Sequence, residues 1–255
     1  MEDYMSIFLA GLATFVLAFC VFGAAPKILG LLSERYGKLE PKKRVLADNT
    51  FMSGVITAIM GSVASYVFFF DPEVYPMQLR YNCILVRQGL AGGMGYILAD
   101  TVLMIRHRHL ASKTLLAHHA VGVVCQPGGI VCVTGPWLLT TWLLFEVSSP
   151  FVHLRLLLNI LGEKKNRLYT VNSVVMTSAF FLCRVAIIPF YWGTVYNFYA
   201  QGSFPDLDRP AFYVMIYGRV FFDVLNVVWF CKMMRYFVRK LVNPRDVVKD
   251  DKYQI

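Results

Sequence analysis

The chain has 255 residues, of which 57% are hydrophobic and 16% are charged, and its formal net charge at pH 7 is +9. This composition is too apolar for an ordinary soluble domain and is typical of a membrane protein. The basic residues lie between apolar segments and form no single patch, which indicates membrane topology and excludes nucleic acid as the expected partner.

Seven apolar segments are long enough to cross a bilayer, at about 6–31, 51–70, 85–105, 115–134, 137–159, 170–192 and 211–237. The first is predicted to be retained, because Met1-Glu2-Asp3-Tyr4 lacks the positive region of a cleaved signal peptide. The fourth and fifth divide at Thr134-Gly135-Pro136, where Gly and Pro favour a tight turn. The predicted fold class is all-α, a polytopic membrane bundle of about seven transmembrane helices around a central cavity.

Basic residues occur in alternate loops, after the first, third and fifth segments and after the last one. An odd number of spans places all of these loops on one side, together with the C-terminus. By the positive-inside rule that side is cytosolic, and the N-terminus is then lumenal or extracellular.

Adjacent histidines, His118 and His119, lie near the cytosolic end of the fourth segment. Ionisable groups inside a membrane segment normally face the protein interior and mark function. Counting helix rise from the cytosolic ends predicts one shared layer for the histidine pair, Asp100, Arg155 and Asn172. Neighbouring helix positions point about 100° apart, so only one of the two histidines can face a central cavity.

A second set of charged residues lies about two turns from the outer ends of the last three segments and contains Glu146, Arg184 and Arg219. Asp223 follows Arg219 by one helical turn, so these two can pair within one helix. Glu146 and Arg184 have matching depth and opposite charge, which predicts a buried ion pair.

The cysteines and histidines show no metal-ligand spacing. A two-histidine site on one helix would need positions i and i+4, and His118 and His119 are adjacent. No metal site is therefore predicted.

Several segments together resemble the TLC-domain superfamily, which includes the ceramide synthases and the translocating-chain-associated membrane protein. They are the histidine pair with Asp100 before it, Glu146-Val147-Ser148-Ser149-Pro150-Phe151 with Arg155, the Val171-Asn172 pair, Cys183-Arg184-Val185, and Asp223-Val224-Leu225-Asn226-Val227-Val228-Trp229. The last of these is most similar to the member 4 branch of the TLC domain-containing proteins.

The resemblance implies a lipid-accessible helical bundle in the endoplasmic reticulum or another endomembrane. It divides the chain into a first transmembrane helix with the start of a basic cytosolic loop (1–39), a TLC-type transmembrane domain (40–240) and a polar cytosolic tail (241–255). The polar residues predicted to line the cavity and bind lipid are Glu146, Ser148, Ser149, Arg155, Asn172, Arg184, Arg219, Asp223 and Asn226. For Glu146, Arg184, Arg219 and Asp223, a structural role in joining helices is the favoured alternative.

Two functional hypotheses follow from this resemblance. The first is a protein that binds or handles membrane lipids and adjusts membrane lipid composition, without a cofactor. The second is an acyltransferase similar to ceramide synthases, which would use acyl-CoA as co-substrate and His118 or His119 as base or nucleophile. Asp100 would then fix the imidazole tautomer. The downstream segment Trp142–Ser149 has a single acid, where ceramide synthases carry several aspartates, which favours the first hypothesis.

Ion or proton transport ranks third, since no chain of further acids or histidines joins the two polar layers. The expected partners are membrane lipids, and the sequence leaves the oligomeric state open.

Overall fold

The protein is described by a computed structural model that covers residues 2–72, 74, 79–204 and 207–242. The described residues are almost entirely helical and include no β-strand. The α-helices are α1 (Glu2–Leu32), α2 (Glu34–Gly37), α3 (Pro41–Phe70), α4 (Ile84–Arg106), α5 (Lys113–Val131), α6 (Pro136–Leu143), α7 (Ser149–Ile160), α8 (Arg167–Phe180), α9 (Ile187–Ala200), α10 (Arg209–Tyr213) and α11 (Arg219–Val242). The predicted polar tail lies outside the described residues from position 243 onward.

These helices confirm the predicted all-α membrane bundle. Six continuous helical segments among the described residues are long and apolar enough to cross a bilayer. The remaining predicted span corresponds to α4, which has 23 residues. Arg87, Gln88 and Asp100 make α4 less apolar than the six, and the number of seven crossings stays a prediction.

The break between the fourth and fifth predicted spans lies where Gly and Pro predicted it. Helix α5 ends at Val131 and α6 begins at Pro136, with Gly135 in the left-handed region at φ 59°. A Cβ at Gly135 would also overlap the side chain of Met215. The turn therefore requires glycine both for its backbone conformation and for its close packing.

The fifth predicted span consists of two helices joined by a turn. A 3₁₀ turn over Leu144–Val147 separates α6 from α7, and Pro150 occupies the first turn of α7. Proline is favoured there because its missing N–H would have no intrahelical acceptor. The turn places Phe145, Glu146 and Ser148 at the junction between two helices.

Two π-helical turns interrupt the last two spans. The first, Phe181–Val185, lies between α8 and α9, and the Ala186 N–H donates to the Phe181 carbonyl at 2.8 Å. Pro189 cannot donate to the carbonyl of Val185 four residues earlier, which favours the irregular ladder at this point. The second, Val214–Gly218, lies directly before Arg219. Both π turns thus adjoin a buried arginine.

Side-chain contacts join the segments at the predicted cytosolic ends of the helices. The Tyr36 hydroxyl of α2 donates to the Asp48 carboxylate of α3 at 2.8 Å. Burial, together with this carboxylate, raises the pKa of Tyr36, so its phenol stays protonated and donates. Arg35 donates to the Gly162 carbonyl at 2.9 Å and pairs with Glu163 at 3.2 Å, which attaches the loop after α7 to α2.

The outer surface of the bundle is apolar, as expected for a surface in contact with lipid. On α1 alone, Phe8, Leu9, Leu12, Val16 and Leu31 are all more than 40% exposed. An apolar pocket lies at the predicted outer end, between Leu79, Leu138, Phe198 and Met215, and is lined by none of the predicted site residues. The central cavity stays a prediction.

Helix α1 packs closely on α4 through glycines. A Cβ at Gly95 would overlap the carbonyl oxygen of Gly11 and lie 3.1 Å from the backbone nitrogen of Phe15. Small residues allow backbones to approach in this way in membrane proteins, where packing contacts replace the hydrophobic effect as the source of association.

We predict that Gly95→Ala lowers stability by about 1–3 kcal/mol, because the new methyl group must separate two backbones. Gly23→Ala on α1 is the control, since nothing lies within 4 Å of a Cβ there. Thermal unfolding of the purified protein in detergent measures both. Equal melting temperatures for the two variants would show that the backbones of α1 and α4 leave room for a methyl group at Gly95.

Candidate functional site

His119 is the centre of a hydrogen-bonded group that joins α3, α4 and α5. Its Nε2 lies 3.4 Å from the Asp100 carboxylate, and its Nδ1 lies 3.0 Å from the Thr101 hydroxyl. The other oxygen of Asp100 accepts a hydrogen bond from the Asn49 amide at 2.9 Å. His119, Asp100 and Asn49 are all buried. The predicted proximity of Asp100 to the histidine pair is therefore present, and it concerns His119.

The hydroxyl of Thr101 determines the tautomer of His119. That hydroxyl donates its proton to the Ile97 carbonyl at 2.6 Å, so toward His119 it can only accept, and Nδ1 must carry a proton. The Nε2 atom of His119 then faces the Asp100 carboxylate at 3.4 Å.

His118 points in a different direction from His119, as helix geometry predicts. Its ring packs against Phe222 and Trp229 of α11, with ring centroids 5.1 and 5.8 Å away. The Nδ1 atom of His118 is buried and has no hydrogen-bond partner. A buried nitrogen without a partner is costly unless a ligand or water reaches it. His118 is therefore the histidine of the pair that has an unsatisfied ring nitrogen.

Arg184 joins the α6–α7 junction to α11. Its guanidinium donates to the hydroxyls of Ser148 and Ser149, both at 2.8 Å, to the Phe145 carbonyl at 2.5 Å, and to the Asn226 side chain at 3.3 Å. The Phe145 and Phe180 rings lie over the same guanidinium at 5.4 and 4.9 Å. Four predicted polar residues, Ser148, Ser149, Arg184 and Asn226, thus meet in one cluster.

Glu146 lies at the same junction, within electrostatic range of Arg184. Among the described residues, Glu146 and Arg184 do not form a direct salt bridge. The predicted ion pair is therefore not present as a direct contact, and the Arg184 guanidinium is instead bound by the hydroxyls of Ser148 and Ser149.

Arg219 and Asp223 form the predicted pair within one helix, at 2.8 Å. Arg219 is fully buried, donates to the Thr141 hydroxyl at 2.8 Å and stacks on the Tyr191 ring at 4.1 Å. Asp223 accepts from the Trp192 indole at 2.9 Å. These contacts join α6, α9 and α11, although the Arg219 Nη2 atom is buried without a hydrogen-bond partner. The pair therefore holds helices together, and its predicted lipid-binding role is unsupported by these contacts.

Arg155 and Asn172 make contacts apart from the histidines. Arg155 lies over the Tyr169 ring at 5.5 Å, and the Asn172 amide donates to the Phe151 carbonyl at 2.8 Å. Both contacts join α7 to α8. The predicted polar layer of five residues thus divides: Asp100 and His119 interact directly, while Arg155 and Asn172 connect neighbouring helices.

The structure adds interior residues that the sequence reasoning missed, namely Asn49, Thr101, Gln126, His153 and Phe222. His153 follows Ser149 by four positions and Glu146 by seven, so helical periodicity could have placed it on the same face. Its Nδ1 and the Gln126 Oε1 are buried without a hydrogen-bond partner. Among the described residues, no three His, Cys, Asp or Glu side chains are placed to hold a metal ion.

These features define an integral membrane protein with a polar, histidine-bearing interior. The family model for the TLC domain (TRAM_LAG1_CLN8) matches residues 47–235. The chain belongs to the TLC-domain family, which is membrane-associated and lipid-related. The match begins after α1, so the helix that packs on α4 through Gly11 and Gly95 lies outside the family domain.

Similar proteins carry the same family name. The chain is 27% identical to "TLC domain-containing protein 4-B" of Xenopus laevis over 80% of this chain and 79% of that protein. It is 23% identical to "TLC domain-containing protein 4" of Homo sapiens over 84% of this chain and 82% of that protein. Identity to "TLC domain-containing protein 2" of Danio rerio is 22%, over 80% of this chain and 81% of that protein. No solved structure matches the chain.

The different surroundings of the two histidines predict different effects on stability. His119→Phe removes the partner of the buried Asp100 and should cost about 3 kcal/mol or more. His118→Phe retains the aromatic contacts with Phe222 and loses no hydrogen bond through Nδ1, so it should cost less than about 1 kcal/mol. Melting temperatures in detergent compare the two variants directly.

A second substitution tests the cause of the His119 effect. Adding Asp100→Asn to His119→Phe should recover part of the lost stability, because the uncompensated carboxylate is then absent. Strictly additive losses would show that Asp100 and His119 do not interact.

Proposed function

We propose that this protein binds membrane lipid within its helical bundle and takes part in controlling membrane lipid composition. The observation that carries this proposal is His118, which presents an unpartnered Nδ1 between aromatic side chains in the bundle interior. An apolar wall with a few unsatisfied polar atoms is the usual surface of a ligand site. Membership of the lipid-related TLC-domain family supports the same conclusion.

The residues around Arg184 would shape this site. They already accept most of the hydrogen bonds that the Arg184 guanidinium can donate. Four guanidinium hydrogen bonds are already made to protein atoms. Arg184 would therefore act mainly by holding Phe145 and the α6–α7 junction in place, while His118 would contact the bound lipid.

Acyl transfer from acyl-CoA receives less support from this geometry. A base in such a reaction needs one nitrogen free for the substrate and the other held by an orienting group. The two nitrogens of His119 face Thr101 and Asp100, whereas the Nδ1 atom of His118 has no partner and no acid among the described residues is oriented on His118. The two requirements are divided between two residues.

We further propose an endomembrane location such as the endoplasmic reticulum, with the C-terminus cytosolic and the N-terminus lumenal. The support is the alternation of basic loops and the family resemblance. Under this topology, the side-chain contacts made by Tyr36, Arg35 and Glu163 lie on the cytosolic side.

We predict that the protein, purified in a mild detergent, retains lipid that mass spectrometry detects. His118→Phe should lower the retained amount about 2–10-fold, the effect expected of one lost hydrogen bond. His109→Phe is the control, because His109 is exposed in the turn between α4 and α5. Absence of retained lipid from the wild-type protein would contradict the proposal.

Acyltransferase activity is assayed with the same detergent-purified protein. The proposed function predicts no turnover of a panel of acyl-CoAs with amine or alcohol acceptors. Turnover that His118→Phe or His119→Phe abolishes, with the fold intact, would instead establish the acyltransferase.

A further inference from the structure

Two predicted cytosolic segments that are separate along the sequence meet at the start of α3. The His109 imidazole, in the turn between α4 and α5, donates from Nε2 to the Lys42 carbonyl at 3.1 Å. Leu110 of the same turn is buried in a core cluster against which Val45 and Leu46 of α3 also pack. The turn between α4 and α5 is therefore held against the first turns of α3.

This contact gathers exposed basic side chains into one surface, which we call the cationic patch. Its members are Lys42, Lys43, Arg106, Arg108 and Lys113. None of them forms a salt bridge within the described part of the chain. Glu40 precedes the patch on α3, and residues 101–113 contain no acid. With one neighbouring acid against five cations, the patch keeps an excess of positive charge.

The other basic loop on the predicted cytosolic side differs from the cationic patch. There, Arg35 pairs with Glu163 at 3.2 Å, and Lys165 and Arg167 follow this acid closely in the sequence. The positive-inside rule accounts for lysines and arginines in both places. It does not require that those of the cationic patch lack acidic partners, so the unpaired charge there indicates a further role.

Helix lengths place the cationic patch at the level of the lipid headgroups. Helix α3 has 30 residues and is about 45 Å long, which matches a bilayer with its headgroup layers. Helix α5 has 19 residues and is about 28 Å long, which matches the hydrocarbon core alone. Beside the patch, Ile105 is 71% exposed and Leu116 is 43% exposed, as expected of a surface that contacts acyl chains.

We propose that the cationic patch binds the headgroup of an anionic glycerophospholipid of the cytosolic leaflet, such as phosphatidylserine. A cluster of lysines and arginines next to a membrane helix attracts anionic lipid, and each cation contributes to the affinity. The exposed apolar side chains of Ile105 and Leu116 lie where the acyl chains of that lipid would run. This second lipid site rests on the proposed topology and is separate from the interior around His118.

The test measures lipid binding to the full-length protein in dodecyl maltoside by native mass spectrometry. Dioleoylphosphatidylserine is compared with dioleoylphosphatidylcholine, which has the same acyl chains and no net charge. The anionic lipid should bind about tenfold or more tightly, and raising the ammonium acetate from about 50 to about 500 mM should remove most of this preference. Equal binding of the two lipids at low salt would overturn the inference.

Paired substitutions locate the binding surface. Arg108→Gln with Lys113→Gln should lower the preference for phosphatidylserine to less than about threefold, since each removed cation costs about fivefold. Arg108→Lys with Lys113→Arg keeps the charge and should keep the preference. Lys165→Gln with Arg167→Gln is the matched control, because it removes the same charge from the same predicted side and should change nothing. Equal losses in the two neutralised variants would show that overall charge, and not the cationic patch, attracts the lipid.

Two further measurements separate this site from other sources of binding. Loss of the preference in His118→Phe would place the anionic lipid in the interior and overturn the inference. Displacement of phosphatidylserine by a tenfold excess of inorganic phosphate would identify a site for free anions instead. All substituted patch side chains are exposed, so melting temperatures should stay near that of the wild type. If a variant does not fold, the salt dependence of the wild-type preference decides. Retained lipid that depends on His118 stands whatever these results are.

Discussion

The guanidinium of Arg184 is the interaction on which the interior of this bundle depends. A cation in an apolar environment must be surrounded by acceptors, and here they come from the turn between α6 and α7 and from α11. The Phe145 carbonyl that accepts from Arg184 lies in the 3₁₀ turn at Leu144–Val147, and Arg184 itself lies in the π turn at Phe181–Val185. Two irregular turns thus meet at this guanidinium.

The different surroundings of His118 and His119 also concern the need of buried polar atoms for hydrogen-bond partners. His119 faces α4, where Asp100 and Thr101 lie against its two nitrogens, so it contributes to packing between helices. His118, one position earlier, faces α11 and the aromatic side chains there. Adjacent residues on one helix therefore have different surroundings, and His118 keeps an unsatisfied Nδ1.

Sequence reasoning identified most of the polar residues that lie in the interior and fewer of their partners. Charge in an apolar segment identified Asp100, Glu146, Arg184 and Arg219, since such residues almost always face the interior. The depth of a residue in the membrane did not reveal that Arg184 donates to Ser148 and Ser149, or that Asn172 donates to the Phe151 carbonyl. Depth does not specify how a helix is rotated about its axis or which helix lies next to it. His153 and Gln126 lie in the same apolar segments as Glu146 and His118 and were missed, although a polar side chain there indicates the interior in the same way.

By itself the sequence determined the helical membrane class, the family and the break at Gly135-Pro136. Each of these depends on local composition, on chain-order motifs or on a backbone conformation that only certain residues adopt. Only the tertiary structure decided which histidine has an unsatisfied nitrogen, which acid accompanies which cation, and which buried polar atoms lack a partner. These properties depend on how separate helices rotate and pack against one another, and the order of residues along one segment does not specify that arrangement.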